Sequence, residues 1–403
     1  MSQEAPSAGP RPPLLFYCQH SAGLGHLIRS LALARGLAER FEVVFASGGP
    51  LPPGLEAPPG VELIGLPPLG HDDSYRLISR DPRWTVDEAM RARTEQLQAT
   101  FDALAPRVVL VELFPFGRKK FSFELLPLLE RARSAPQRPL VVCSLRDILV
   151  GSRRDQRKHD QRACDLANRY LDAVLVHADP RFARLEESFQ PATPLRVPVH
   201  YTGFVRDGGG RLGPPPRRFQ RMLVSAGGGL VGEPLLRAAV AAQPELLATD
   251  GLTTTVVAGP FLPEPAWQWL QRAARRQPGL EAHRYLPDLA AEMAASRLSL
   301  SQCGYNTAMD ILAAGTPAVV VPFAEGREDE QTVRARRLER LGVLGVVESG
   351  ELDAGSLLAA ARRMLRQPTP APDLDLDGQA ATARLMAELL GEQAAGPGVV
   401  GAA

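Results

Sequence analysis

Two short glycine-bearing stretches carry the side chains best suited to chemistry. The first, QHSAGLGHLIRS (19–30), sets His26 behind Gly25 at the start of an expected helix, with His20 just upstream. A helix N-terminus disfavours the imidazolium and keeps a histidine neutral, fit to accept a proton. A general base also needs an orienting partner. Glu112 ends the apolar run RVVLVEL (107–113), and a carboxylate inside an apolar strand is costly unless paired. His26 is one partner open to it, and Arg118 or Lys119 in FPFGRKKF is the rival. His20 and His26 both stand as the base, and either could instead be a capping or packing histidine. Arg146–Asp147, ending VVCSLRD, is a second charged pair on the same edge and reads as a structural salt bridge.

The second stretch, SQCGYNTAMDILAAGTPAVVVPF (301–323), places Gly304, Asn306 and Thr307 just before a helix, with Asp310 expected inside its first turn. Unpaired N–H groups and partial positive charge at a helix start suit a phosphate, and the acid could reach a sugar hydroxyl. The alternative is N-capping by Asn306 or Thr307, with Asp310 favouring the dipole. Upstream, SAGGGLVGE (225–233) puts Gly227, Gly228 and Gly229 between strand and helix. Glycines there let backbone N–H groups approach an anion, although a sharp turn alone would use them too. The N-terminal turn does not complete a dinucleotide fingerprint. Gly23 and Gly25 fit, but Ile28 holds the third position and the next strand ends at Ser47 where a ribose-binding acid is wanted.

These positions need a scaffold that gathers them. LLFYC (14–18), EVVFAS (42–47), RVVLVEL (107–113), LVVCSL (140–145) and AVLVHA (173–178) are continuous apolar runs separated by helical or loop segments. The first intervening helix is expected from about His26 to Arg40, with Leu27, Leu31, Ala34 and Ala38 at helical spacing. Apolar strands alternating with helices mean a parallel sheet covered on both faces. After DGGGRLGPPPRR (207–218) the pattern restarts with RMLVSA (221–226), LTTTVVAG (252–259), a helix around 264–276, RLSLSQ (297–302) and AVVVPF (318–323). A last helix is expected at about 379–392. Asp373, Asp375 and Asp377 in PTPAPDLDLDG have D-x-D spacing but lie in a Pro-rich segment, not after a strand, and read as surface residues.

With 403 residues, about two domains are expected. Hydrophobic content of 45%, charged content of 23% and a net charge of +1 fit a soluble globular protein and give no sign of a nucleic-acid partner. The arginine-rich GSRRDQRKHDQR (151–162) reads as a solvated helix face. Cys18, Cys143, Cys164 and Cys303 lie far apart without a C-x-x-C pair, which argues for a reducing compartment and against a metal site. The N-terminal segment lacks a signal pattern and no apolar run approaches a membrane span, so a cytoplasmic location is expected.

Over roughly 14–365 the chain resembles the GT-B glycosyltransferases. The similarity is strongest to the branch of the peptidoglycan lipid-intermediate N-acetylglucosaminyltransferase and to bacterial predicted glycosyltransferases. Its most specific part, residues 301–342, is similar to the donor motif of plant small-molecule glucosyltransferases. The resemblance implies an α/β fold of two Rossmann-like domains facing each other across a cleft. Residues 1–12 would form a tail, 13–206 the acceptor domain, 207–218 a linker, 219–367 the donor domain, and 368–403 a tail with a return helix. On matching positions, Gly304, Asn306 and Thr307 would face a diphosphate, Asp310 the ribose, and Glu330 with Gln331 the transferred sugar. Tyr285 and Leu286 in RYLPD would lie at the nucleobase, and Gly227–Gly229 near the phosphates. GLGH matches the loop whose histidine is the base, with Glu112 as its orienting acid; His20, Gly25 and Arg118 would lie on the acceptor side. The chain departs from the plant pattern at Gln302, which replaces a phosphate-binding histidine, and Asp310 and Glu112 each exchange one acid for the other.

The implied activity is inverting, metal-independent transfer from a nucleoside-diphosphate sugar, with a UDP-sugar the expected donor, to a hydroxyl or amine. No cofactor is expected. The acceptor class stays open among small-molecule, lipid-linked and peptide acceptors, as do peripheral membrane contact and a monomeric or dimeric state. A nucleotide-sugar 2-epimerase of the same fold and a non-catalytic sugar-nucleotide-binding module are the alternatives.

Overall fold

The computed structural model describes residues 10–20, 24–49, 51–52, 55–72, 74, 76–151, 153–213, 217–323 and 329–395. Gly23, most of the tail at 1–12, residues 214–216 of the linker, 324–328 within the second motif and 396–403 lie outside the described residues.

The first half runs β1 (Pro13–Cys18), α1 (Gly25–Leu37), β2 (Glu42–Ser47), β3 (Val61–Gly65), β4 (Leu69–His71), β5 (Leu77–Ser79), α2 (Val86–Leu104), β6 (Val108–Glu112), α3 (Ser122–Ser134), β7 (Leu140–Arg146), α4 (Gln156–Tyr170), β8 (Ala173–His177) and β9 (Val199–Tyr201). The second runs β10 (Phe219–Ser225), α5 (Glu233–Asp250), β11 (Thr253–Val257), α6 (Glu264–Arg276), β12 (Leu280–His283), α7 (Leu289–Ala294), β13 (Ser296–Ser301), α8 (Tyr305–Ala314), β14 (Ala318–Val320), α9 (Glu330–Arg340), β15 (Leu344–Val346), α10 (Ala354–Arg366) and α11 (Gly378–Ala395).

Among the described residues these strands form two parallel sheets, ordered β3-β2-β1-β6-β7-β8-β9 and β12-β11-β10-β13-β14-β15, plus a β4–β5 hairpin. The apolar runs explain the layering. Leu14 to Cys18 and Val108 to Val111 are wholly buried because helices cover both sheet faces. The expected first helix is shorter than 26–40, since α1 ends at Leu37. Cys143 lies inside β7, not at a strand end, and all four thiols are free and buried.

Two features fix the helix that carries His26. Leu27, Leu31, Leu33, Ala34 and Leu37 of α1 share an apolar cluster with Ala383, Met386 and Leu390 of α11. Each fully buried Leu or Met there contributes about 1.5–3 kcal/mol. The 373–378 segment straps α11 to the first sheet, with Phe204 N–H donating to Asp375 O at 2.8 Å and Gly378 N–H to Phe204 O at 3.0 Å. Strands of one parallel sheet all end on the same side, so the functional loops gather at the two carboxyl edges.

Candidate active site

Glu112, the last residue of β6, is fully buried. Its Oε1 accepts from His26 Nδ1 at 2.6 Å and from Arg29 Nη2 at 2.6 Å, and Arg118 Nη2 lies 3.4 Å from Oε2. The partner question left by the sequence therefore has three answers at once, one of them a residue it did not single out. Burial alone would raise the Glu112 pKa, but His26, Arg118 and Arg29 outweigh it and hold the carboxyl well below the usual range. For His26 burial is the leading cause and lowers the imidazole pKa; Arg118 adds to this, while Glu112 opposes it. The ring is neutral at physiological pH because it is desolvated, and not only because it begins a helix. The carboxylate accepts the Nδ1–H hydrogen bond, which leaves the Nε2 lone pair free, and 20% of the side chain stays exposed.

Arg118 reaches this place through strained backbone. Leu113 and Arg118 both have left-handed φ, 67° and 58°, which folds the segment after β6 back over Glu112. His20 follows β1, is 3% exposed, and lies 3.3 Å from Ser47 Oγ through Nε2. Burial, with Arg118, lowers its pKa to about 4. Beneath it a buried network fixes the loops: Arg93 bonds Glu124 at 2.8 Å, Gly48 O at 2.6 Å and Gln19 Oε1 at 2.7 Å.

The second stretch behaves differently. α8 starts at Tyr305, its cap residue is Gly304, and no side chain caps it. Asn306 and Thr307 are thus not the caps that one reading of the sequence expects, because they lie inside the helix. Asp310 falls in the second turn rather than the first. It is half-buried, and among the described residues its carboxylate accepts no hydrogen bond. Burial pushes its pKa up to about 7, against Arg206 and with help from Asp288 and Asp207. The Asn306 amide reaches across to Gly25 O at 3.1 Å, so the starts of α8 and α1 face each other.

Around α8 the other expected residues separate. Gly227 and Gly229 have φ of 58° and 89°, and a Cβ on Gly229 would meet Ala258 O at 2.5 Å, so that turn requires glycine. At Gly227 nothing lies within 4 Å of a Cβ position, and its N–H donates to Ser225 Oγ at 3.3 Å. Gln331 Oε1 accepts from the N–H groups of Cys303 and Phe323, both at 3.2 Å, and so joins the loops after β13 and β14. Tyr285 is 68% exposed, while Leu286 is half-buried against the core.

Arg146 and Asp147 do not pair as the sequence suggests. Arg146 bonds Glu330 at 2.8 Å, and Asp147 takes two bonds of 2.7 Å from buried Arg334 of α9. These contacts join the two sheets, so they had no local sequence signal. The D-x-D residues are engaged structurally: Asp373 with Arg181 at 2.9 Å, and Asp375 N–H with Asp179 at 3.1 Å.

Residues 224–386 match the family described as Glycosyltransferase family 28 C-terminal domain. A curated relative from Acidithiobacillus ferrooxidans, a UDP-N-acetylglucosamine–N-acetylmuramyl-(pentapeptide) pyrophosphoryl-undecaprenol N-acetylglucosamine transferase, is 29% identical over 230 residues, 52% of this chain and 57% of the relative. The chain spans little more than half the length of this relative, and 22% of that of another from Methylobacterium radiotolerans. Of solved structures, Acinetobacter baumannii MurG superposes with TM-score 0.56 at 16% identity, covering 94% of this chain and all, 100%, of that one. A UDP-glucosyltransferase from Polygonum tinctorium gives TM-score 0.58 at 16% identity, with 95% and 100% covered. The chain has the GT-B glycosyltransferase fold, the fold class expected from the sequence.

Proposed function

We propose that the protein is an inverting glycosyltransferase that moves a sugar from a nucleoside-diphosphate sugar, a UDP-sugar first among them, to a hydroxyl or amine. The observation that carries this is the placement of a neutral, carboxylate-oriented histidine opposite an uncapped helix start, with Asn306 spanning 3.1 Å to Gly25 O between them. The family match over 224–386 and the GT-B fold support it.

In this reading residues 219–367 hold the donor and 13–206 the acceptor. The diphosphate lies against the first N–H groups of α8, Asp310 accepts from the ribose hydroxyls, and Gln331 Nε2 faces the sugar. His26 Nε2 takes the proton of the acceptor as the acceptor heteroatom bonds to the anomeric carbon. The anomeric C–O bond breaks on the opposite face, its electron pair passing to the β-phosphate oxygen. The helix dipole and backbone amides stabilise that charge. Arg118 stands on the acceptor side, and no metal or cofactor is called for.

A thermal-shift panel of UDP-, dTDP- and GDP-sugars tests the donor. A ligand at 100 times its dissociation constant stabilises by about 2.7 kcal/mol. Stabilisation by one nucleotide class and nucleoside diphosphate release on adding an acceptor would support the reading; no response to any of them would reject it.

A further inference from the structure

Arg29 touches both halves of the site. It lies one turn along α1 from His26, is 2% exposed, and donates to Glu112 Oε1 at 2.6 Å, the oxygen His26 also uses. Its guanidinium carbon stands 5.4 Å from the centroid of the Tyr305 ring. Tyr305 is the first residue of α8, directly after Gly304. Its hydroxyl donates to His177 O at 2.9 Å and accepts from Val205 N–H at 2.9 Å. Arg334 stacks on the same ring at 5.8 Å and donates to Cys303 O at 2.9 Å, in the turn leading into Gly304. A packed path therefore runs from the α8 turn through Tyr305 and Arg29 to Glu112.

Pure packing is a poor explanation for Arg29. Its Nε is buried without a hydrogen-bond partner among the described residues, and an apolar side chain would fill the space without that cost. Glu112 and His26 are also faced by Cys18 from β1, His20 just after it, Arg118 from the segment after β6, Cys143 and Arg146 from β7, and His177 from β8. Of the three groups that donate to Glu112, Arg29 is the one stacked on α8.

We propose that Arg29 is a positioning residue that couples occupancy of the α8 turn to the orientation and charge of the Glu112–His26 pair. This rests on reading that turn as the donor site. An anion seated on the first N–H groups of α8 moves the turn and the Tyr305 ring with it. Arg29 follows the ring and changes its share of Oε1, and His26 senses the change through the same oxygen.

NMR of ring-labelled histidines in the full chain tests this, with His26 assigned from a His26→Gln spectrum. The parent, Arg29→Leu, Arg29→Lys and Tyr305→Leu proteins are titrated with and without UDP, dTDP or GDP. Arg29→Leu raises the His26 midpoint by about one pH unit, the low end for losing a charge partner, because the carboxylate then serves fewer cations. Arg29→Lys keeps the charge and the midpoint but not the stacking. Nucleotide moves the His26 resonance in the parent and no longer does so in Arg29→Lys or Tyr305→Leu. Should Arg29→Leu fail to fold, the other two variants decide. Nucleotide binding to every variant with the parent's His26 response would overturn the coupling and leave the donor reading standing. Failure of all three nucleotides to bind the parent would remove the donor reading, and the coupling with it.

Discussion

α1 and α8 both start after a glycine-bearing stretch at a sheet edge, both lack a side-chain cap, and they face each other. They differ in what surrounds them. At α1 the side chains are closely engaged: a buried carboxylate binds His26 and Arg29 of the first turns, with Arg118 behind. At α8 no acid lies in the first turn, and the acid one turn on accepts no hydrogen bond among the described residues. The field of α1 is met by Glu112; that of α8 is met by no acid of its own first turn and no side-chain cap among the described residues. One helix start handles a proton and the other is left to attract an anion.

The sharpest way to break this division is at His26. Replacing it with Ala should lower turnover roughly 10²–10⁴-fold, the scale of a general base, with nucleotide affinity held. Glu112→Gln should cost less, and the double variant less than the product of the two, because the pair acts as a unit. His20→Ala is the mild control. Near-normal turnover in His26→Ala beside a crippled His20→Ala would make His20 the base. Since burial keeps the His26 pKa low, the rate in the parent should hold through the ordinary imidazole midpoint of about 6.5 and fall only in more acidic solution.

At α8 the expected effects are on binding. Asp310→Ala should weaken free nucleoside diphosphate and sugar nucleotide alike by about 1.5–3 kcal/mol, or about 10- to 150-fold, as for hydrogen bonds to a charged group. A weaker effect follows from protonation. The free carboxyl, raised to about 7 by burial, must be ionised to accept from both ribose hydroxyls, so affinity should fall as pH drops through 7. Asp310→Asn should flatten that profile in calorimetric titrations, and an unchanged profile would count against the ribose assignment. The smallest effect belongs to chelation: EDTA should leave transfer intact. Loss restored by Mg²⁺ would show that the α8 amides do not neutralise the leaving group alone.

The same contrast explains what the sequence made legible. Strands announced themselves as β-branched runs, and the Gly turns marked where helices begin, because those signals are local. Short edge strands such as β9 and β15, three residues each, carry too few side chains for a period and were not foreseen. Within the site, the need of His26 for an orienting acid led to Glu112, the carboxylate ending an apolar strand, with Arg118 or Lys119 left open as its rival partners. Arg29 was hidden, since arginine one turn along an amphipathic helix normally faces water. The Arg334–Asp147 and Arg146–Glu330 bonds span 187 and 184 residues, so no spacing could reveal them.

A crystal structure with UDP, or with whichever nucleoside diphosphate the panel selects, decides which helix start holds the anion. Phosphate oxygens should lie at about 2.9 Å from the backbone N–H groups of residues 305–307, the usual N–H···O distance, with ribose hydroxyls on Asp310 and His26 Nε2 left free. Phosphates seated instead on the first turn of α1, with His26 drawn away from Glu112, would contradict that placement.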